Sequence, residues 1–230
     1  GFLAYTMGLP GIPRAAEETM TFRDICLAEL TGGSLHIAHV STAGSVRIIR
    51  EAKSRDVPVT AETCPHYFSI TEDAVRGYNT NAKVNPPIRT KEDVAAVREG
   101  LSDGTLDAIA TDHAPHHRNE KQQEFDAAPS GISGLETAVS LSLALVREGV
   151  LSMPELVNKL ALNPARILGL DKGVLTEGAD ADIAIIDPER KYTVDATSFR
   201  SKGKNSPFDG WDVQGMVVTT ISMGKVFKWE

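Results

Sequence analysis

An aspartate and a group of histidines follow a predicted strand at the point where that strand ends. Asp112 closes the segment 106–111, in which the small residues Ala108 and Ala110 leave its carboxylate unobstructed. A carboxylate in this position can bind a metal ion and accept a proton from water, which is the general-base step that hydrolysis needs. The segment 112–116 therefore predicts a hydrolytic site, and its alternative is a simple polar turn. His116 lies beyond Pro115 on the loop, where it is free to face a substrate.

Two further histidines lie on the segment 34–40, which is predicted to be a strand. Side chains alternate along a strand, so His36 and His39, three residues apart, should point to opposite faces and should not bind one metal ion together. His39 lies at the carboxyl end, where α/β folds place their sites. We expect His36 to lie deeper, away from the site, as a packed or hydrogen-bonded residue. For His39, a functional and a structural role both remain open.

The other candidate residues carry weaker signals. Cys64 invites a nucleophile hypothesis, but no partner pattern supports it, and a cysteine on a β-rich strand is usually a small buried apolar residue. His66 is a candidate for the rim of the same site. Asn85 and Arg89 flank a proline-rich loop, where an amide can pair with an amide edge and a guanidinium with a carboxylate. The alternative for that loop is a plain connector.

The elements that would position these residues alternate between strand and helix over residues 34–148. Strands are predicted at 34–40, 57–64 and 106–111, and helices at 14–31, 45–55, 90–101 and 134–148, followed by helical pieces from Ser152 and Asn163. This alternation is typical of βα units on a parallel sheet. After Leu170, short strands at Val174, 183–186, 216–221 and 225–229 indicate a second, all-β unit.

Composition limits the class of protein. The 230 residues carry a formal net charge of −7 and two cysteines, with 41% hydrophobic and 24% charged residues. This is the profile of a soluble globular protein, and its acidity argues against nucleic acids and acidic membranes as partners. Cys26 and Cys64 fit neither a disulfide framework nor a paired zinc-ligand spacing. We expect a reducing, cytoplasmic location and no membrane-spanning segment.

The number of strands raises a question of completeness. A (β/α)₈ barrel has eight strand–helix units in typically ~250 residues, whereas three strands precede the β-rich tail here. The chain opens at Gly1 without an initiator methionine. Either a small open sheet or the second half of a barrel would fit, and we expect the second half of a barrel.

Taken together, the motifs of the chain resemble those of dihydroorotases in the amidohydrolase superfamily, in the class related to hydantoinases and allantoinases. The matching segments run in order along the chain: 36–42 (HIAHVST), 62–66 (ETCPH), 85–89 (NPPIR), 112–116 (DHAPH), 130–137 (SGISGLET), 163–166 (NPAR) and 181–183 (ADI). The segments 85–89 and 112–116 favour dihydroorotase over its relatives. The resemblance covers essentially all 230 residues.

The resemblance implies a fold and a cofactor. The fold class is α/β: residues 1–170 would be the second half of a TIM-type metal-dependent hydrolase barrel. Residues 171–230 would be a β-rich tail contributing to a small β-sandwich. The cofactor would be zinc, as one or two ions, with His39 and Asp112 as ligands. The family's His-x-His pair and its other ligands would lie upstream of Gly1, so we expect the 230 residues alone to be inactive.

The resemblance also implies a reaction and the roles of further residues. The reaction is the reversible cyclisation of N-carbamoyl-L-aspartate to dihydroorotate in pyrimidine biosynthesis, with Asp112 as the catalytic base. Asn85, His116, Ser130 and Gly131 match substrate-binding positions, and Arg89 does not match the arginine that grips the substrate carboxylate. We expect a homo-oligomer, and the resemblance admits association with aspartate carbamoyltransferase. Alternatives are an allantoinase or hydantoinase, and a non-catalytic scaffold that partners another pyrimidine enzyme.

Overall fold

A parallel sheet and an antiparallel sheet, each of three strands, organise the computed structural model, which describes residues 1–229. The parallel strands are β1 (Leu35–Ile37), β2 (Val59–Thr63) and β3 (Ala108–Ile109), in that order across the sheet. The antiparallel strands are β4 (Ile183–Thr193), β5 (Asp212–Ser222) and β6 (Lys225–Lys228). The strands predicted from residue 183 onward are thus present, and they form a sheet separate from the parallel one.

Helices connect the parallel strands and follow the last of them. They are α1 (Phe2–Thr6), α2 (Arg14–Thr31), α3 (Ala43–Ser54), α4 (Pro65–Ser69), α5 (Lys91–Ser102), α6 (Arg118–Lys121), α7 (Ala138–Arg147), α8 (Met153–Val157) and α9 (Asn163–Ile167). A π-helical turn joins α8 to α9, and short 3₁₀ turns lie within the segments 72–82 and 196–198. No helix within residues 1–229 combines the length and apolar composition needed to cross a membrane.

The core forms where α3 and α5 pack on the parallel sheet. Val46 and Ile49 of α3, Val97 and Leu101 of α5, and Ala61 of β2 are all fully buried in one apolar cluster. In β2 the buried residues alternate with half-buried ones, because one face of the strand meets these helices. Burial of such side chains typically contributes ~1.5–3 kcal/mol each to stability. The helices α3 and α5 therefore hold one face of the parallel sheet.

Apart from one predicted strand, the predicted elements are present in the expected order and type, with differences at their ends. The helix predicted at 14–31 has those bounds, whereas the one predicted at 134–148 begins only at Ala138. The three parallel strands are shorter than predicted, since the chain turns away from strand geometry before His39 and Asp112. The strand predicted at Val174 is wrong, because regular pairing in the tail begins at Ile183.

Asp93 links three helices at one point. It lies in the first turn of α5 with 1% of its surface exposed, and its carboxylate caps that helix by accepting hydrogen bonds from the N–H and Oγ1 of Thr90. It also accepts hydrogen bonds from Arg14 Nε at 2.9 Å and from the N–H of Ala43 at 3.0 Å. The starts of α2, α3 and α5 are therefore held by one buried carboxylate.

We expect Asp93→Ala to lower the free energy of unfolding by about 2 kcal/mol, because it removes a helix cap and leaves Arg14 Nε and the N–H of Ala43 without their acceptor. Chemical denaturation measures this change. The matched control is Glu99→Ala on the same helix, whose carboxylate makes only an exposed contact with Arg50 at 3.4 Å. It should cost less than about 1 kcal/mol. Equal effects of the two substitutions would contradict the linking role of Asp93.

Candidate active site at the carboxyl ends of the parallel strands

His39, Glu62 and Asp112 come together where the parallel strands end. Nε2 of His39 lies 3.7 Å from Oδ1 of Asp112, and Nδ1 of His39 lies 3.0 Å from Oε1 of Glu62. The expected proximity of His39 and Asp112 is therefore found. Their roles as metal ligand and base remain predictions.

The expectation that His36 lies away from this cluster is wrong. Its Nε2 lies 3.3 Å from Oε2 of Glu62, so one carboxylate contacts both histidines. The reason is that β1 ends at Ile37 and His39 adopts a left-handed backbone with φ +57°. The alternation of strand side chains therefore stops before His39. His36 is also partly exposed rather than deep, although its Nδ1 does make a hydrogen bond with Thr60 Oγ1 at 2.8 Å.

The backbone is strained at both His39 and Asp112, and hydrogen bonds hold it in place. Asp112 has φ +45°, which like the conformation of His39 is uncommon for residues other than glycine. Hydrogen bonds continue the parallel ladder around these positions, from the N–H of Val40 to Glu62 O and from the N–H of Ala110 to Thr63 O, both at 2.9 Å. Such strain persists only where surrounding contacts over-determine it, and it is concentrated at functional sites.

The charges of the cluster stabilise one another. The hydrogen bond to Glu62 raises the pKa of His39, with Asp112 adding to the effect and burial opposing it. Burial would raise the pKa of Glu62, but its hydrogen bonds to His39 and His36 outweigh burial and lower it. Burial raises the pKa of Asp112, and the charge of His39 offsets only part of that rise. A carboxylate with a raised pKa is a better proton acceptor near neutral pH.

Cys64 and His66 are buried beneath this cluster. Cys64 Sγ lies 3.5 Å from His39 Nδ1, and burial raises the pKa of its thiol well above the ordinary value. The thiol therefore stays protonated, in agreement with the expectation of a small buried residue. The proposal of His66 as a rim residue is wrong, since 1% of it is exposed and burial lowers its pKa to about 3. The helix α4 begins at Pro65 and turns His66 inward.

A buried ionic network holds the chain just after His39. Glu17 of α2 accepts hydrogen bonds from the backbone N–H of Ser41 at 3.0 Å and of Thr42 at 3.1 Å, and from both hydroxyls. Arg89 donates from Nε to Ser41 Oγ at 3.1 Å and from Nη1 to the carbonyl of Ile12 at 2.8 Å. Arg89 is thus occupied by protein groups, which agrees with its exclusion from substrate binding.

The predicted substrate residues form a second group. Nε2 of His116 lies 2.9 Å from the carbonyl oxygen of Ser130, and the N–H of Gly131 donates to the carbonyl of Lys83 at 2.9 Å. Asn85, two residues beyond Lys83, is exposed. The structure therefore brings His116 and Ser130 into contact and places Gly131 beside the loop that carries Asn85. Their binding of a substrate remains a prediction.

Two buried or half-buried lysines shape the loop before Ser130. Lys83 Nζ donates to the carbonyls of Phe125 and Ala128 at 2.6 Å each, and Lys121 Nζ donates to those of Pro129 at 2.9 Å and Gly131 at 3.1 Å. Burial, with a smaller effect of the nearby Lys83 charge, lowers the pKa of Lys121 to about 8. The loop is thus folded around two ammonium groups.

The donor set fits part of a metal site. Two ligands of a tetrahedral zinc ion lie about 3.3 Å apart, given bonds of about 2.0 Å, and the 3.7 Å between His39 and Asp112 is close to that. The contact of His39 Nδ1 with Glu62 would direct Nε2 toward the ion, as second partners of metal-binding histidines do. Among residues 1–229, however, no group of three or more His, Cys, Asp or Glu side chains could hold a metal ion. The pair fits as part of a ligand set.

Sequence reasoning missed two residues that contact the candidate site or the turn beside it: Glu62 and Glu17. Glu62 was part of a matching segment but received no role. Its place one residue before the end of β2 is the available signal. Glu17 lies 24 residues before Ser41 along the chain, and no spacing in the sequence points to it.

The fold and the site together define a class of protein. The sequence profile described as the amidohydrolase family matches residues 6–227, and this chain belongs to that family. Among solved structures, the chain is similar to dihydropyrimidinase from Brevibacillus agri, with a TM-score of 0.88 and 28% identity over 93% of this chain and 49% of that one. It is equally similar to L-hydantoinase from Arthrobacter aurescens, with a TM-score of 0.88 and 35% identity over the same shares. The amidohydrolase-type α/β fold is thereby confirmed.

Curated proteins with higher identity to this chain are named dihydroorotase, whereas the similar solved structures are of dihydropyrimidinase and hydantoinase. The chain is 62% identical to the dihydroorotase of Geobacter metallireducens over 226 residues, which are 98% of this chain and 53% of the relative. It is 56% identical to the dihydroorotase of Syntrophus aciditrophicus over the same shares. The chain thus spans about half the length of the curated relatives it matches. The resemblance inferred from the motifs is confirmed.

We expect Cys64 to resist alkylation in the native protein, since its thiol is buried and protonated. In a Cys26→Ser background, which leaves one thiol, iodoacetamide followed by peptide mass spectrometry should find Cys64 modified only after addition of denaturant. Cys64→Ala should leave the activity unchanged. Rapid alkylation of native Cys64, or loss of activity in Cys64→Ala without loss of stability, would restore the nucleophile hypothesis.

Proposed function

We propose that this chain works as part of a dihydroorotase, which interconverts N-carbamoyl-L-aspartate and dihydroorotate in pyrimidine biosynthesis. The observation that carries the proposal is the 62% identity over 98% of the chain with a dihydroorotase, well above the 28–35% identity to the hydantoinase-type structures described above. The proximity of His39 and Asp112 supports it, because hydrolysis of a cyclic amide needs a metal-binding carboxylate that also accepts a proton.

The proposal extends to the architecture and the assembly. Residues 1–170, with β1 to β3, would form the second half of a (β/α)₈ barrel. Residues 171–230, with β4 to β6, would form part of a small β-sandwich. The substrate is a small molecule. A homo-oligomer, an association with aspartate carbamoyltransferase and a cytoplasmic location stay predictions from the resemblance.

His39 and Asp112 would hold zinc together with ligands from the rest of a complete protein. The ion would supply Lewis acidity, which polarises the ring amide and makes the attacking water more acidic. In the hydrolytic direction the water oxygen bonds to the ring carbonyl carbon and the carbon–nitrogen bond breaks. Asp112 takes the proton from water and returns it to the leaving nitrogen.

The second group of residues would orient the substrate. Dihydroorotate carries a carboxylate beside a cyclic diamide, so its site must pair an amide edge and bind an anion. Asn85 offers both a donor and an acceptor to such an edge. Because Nε2 of His116 lies against the carbonyl of Ser130, the imidazole is already oriented before substrate arrives. The backbone at Ser130 and Gly131 would complete the contacts.

The structural relatives make a hydantoinase-type activity the second candidate. Hydantoin and allantoin lack the carboxylate of dihydroorotate, so they would leave anion-binding groups unpaired at about 1–3 kcal/mol each. We therefore expect the complete protein to turn over dihydroorotate at least tenfold faster than hydantoin or allantoin. Faster turnover of either alternative would reject the dihydroorotase proposal. Turnover of none of the three, with metal bound, would favour the scaffold hypothesis.

Substitutions in the complete protein separate the roles of the two groups. We expect Asp112→Asn to lower kcat by about 10²–10⁴-fold, because it removes the base. His116→Ala should lower kcat/KM while the zinc content, measured by atomic emission, stays unchanged. His117→Asn is the matched control, since an exposed neighbour is changed while an acceptor that can cap α6 is kept. Loss of zinc in His116→Ala would assign that histidine to the metal instead.

A further inference from the structure

A segment of the β-rich tail reaches into the loops that carry the substrate residues. Asn205 lies between β4 and β5, and only 4% of it is exposed. Its Oδ1 accepts hydrogen bonds from the N–H of His116 at 2.9 Å and from Ser133 Oγ at 3.0 Å. Its Nδ2 donates to the carbonyls of Ala114 at 3.1 Å and Gly131 at 2.9 Å. One side chain thus bonds two loops that lie 72 to 91 residues away along the chain.

The chemistry of this position requires a carboxamide. Two donors face Oδ1 and two carbonyl oxygens face Nδ2, so all four hydrogen-bonding positions of Asn205 are used. An aspartate would set a negative oxygen against the carbonyls of Ala114 and Gly131. An alanine would remove all four hydrogen bonds and leave the N–H of His116 and the carbonyl of Ala114 without their partner. The side chain has no remaining position with which to bind a substrate.

Two glycines allow the three backbone segments to touch. A Cβ at Gly203 would lie 2.6 Å from Pro115 Cβ and 2.8 Å from the backbone nitrogen of His116. A Cβ at Gly131, where φ is +151°, would lie 2.7 Å from the carbonyl oxygen of Ala114 and 2.8 Å from His116 Cδ2. His116 is therefore enclosed by the tail on its backbone side and by Gly131 along its ring.

We propose that Asn205 is a positioning residue, which fixes His116 and the Ser130–Gly131 backbone in the geometry that binds substrate. It acts through these groups and does not itself contact substrate. The inference rests on the proposed function, because that proposal makes His116, Ser130 and Gly131 the substrate contacts. It extends the site to the tail, whose sheet contains none of the predicted site residues.

The experiment compares variants of the complete protein in steady-state kinetics and zinc content. We expect Asn205→Ala and Asn205→Asp to lower kcat/KM for dihydroorotate at least tenfold with zinc content unchanged. The matched control is Asn163→Ala, because Asn163 Nδ2 donates to the carbonyl of Asp107 before β3, at the opposite end of that strand. It should leave kcat/KM within about twofold. Loss of zinc in the Asn205 variants, or an equal fall in the control, would overturn the inference.

A double variant distinguishes positioning from general stabilisation. If Asn205 acts through His116, then His116→Ala combined with Asn205→Ala should retain nearly the kcat/KM of His116→Ala alone. If the double variant instead loses kcat/KM by the product of the two single-variant losses, the inference is overturned. Should the Asn205 variants not fold, Ser133→Ala is the second variant, because it removes one of the four hydrogen bonds of Asn205 together with the contact of Ser133 Oγ to the carbonyl of Gly203. It should lower kcat/KM less than Asn205→Ala, and the fall should again be absent in the His116→Ala background. A fall in kcat/KM from Ser133→Ala that persists in the His116→Ala background would also contradict the inference.

Amide hydrogen exchange tests the inference without any assay of turnover. In Asn205→Ala the amide of His116 should exchange at least tenfold faster, because its acceptor is gone, while the amides of β2 keep their rates. Unchanged exchange at His116 would reject the positioning role even if the protein is a dihydroorotase. Faster exchange in a protein that prefers hydantoin would keep the positioning role and reject the proposed substrate.

Discussion

The candidate site depends on parallel hydrogen bonding that continues beyond the ends of the strands. The N–H of Val40 donates to Glu62 O, and the N–H of Ala110 donates to Thr63 O, so the three chain segments stay in register after regular strand geometry has ended. The carboxyl ends of parallel strands lie at the same edge of a sheet. Because the register is kept beyond those ends, the side chains of His39 and Asp112 come into contact. Without it, His39 and Asp112, 73 positions apart, would have no reason to lie within 3.7 Å.

The contact is maintained against local strain. Left-handed backbone at His39 and Asp112 costs about 1–3 kcal/mol each, which the surrounding structure must offset. After His39, the partly buried Glu17 carboxylate receives four hydrogen bonds from Ser41 and Thr42, and Arg89 contributes a fifth contact to the same turn. The outer helix α2 therefore acts on the site through one side chain. Its contribution is to hold the turn that places His39.

The strands of the tail do not pair with the parallel sheet, but the tail contacts the loops that follow that sheet. The strands β4 to β6 pair only with one another, and the predicted site residues all lie before residue 132. Yet the connection between β4 and β5 carries Gly203 and Asn205 against the loops of His116 and Gly131. The proposed division at residue 170 thus separates two sheets, while one loop cluster contains residues from both sides of that division.

By itself, the sequence determined the order of most strands and helices, the parallel sheet, the β-rich tail and the family, because periodicity, caps and local motifs are short-range signals. It also placed His39 and Asp112 at strand ends, where parallel pairing brings side chains together. Only the tertiary structure decided that His36 shares Glu62 with His39, that His66 is buried and that Asn205 joins two loops. These outcomes depend on backbone turns with positive φ and on contacts across tens of residues. Strand alternation cannot anticipate such turns, and local patterns carry no information about partners so distant along the chain.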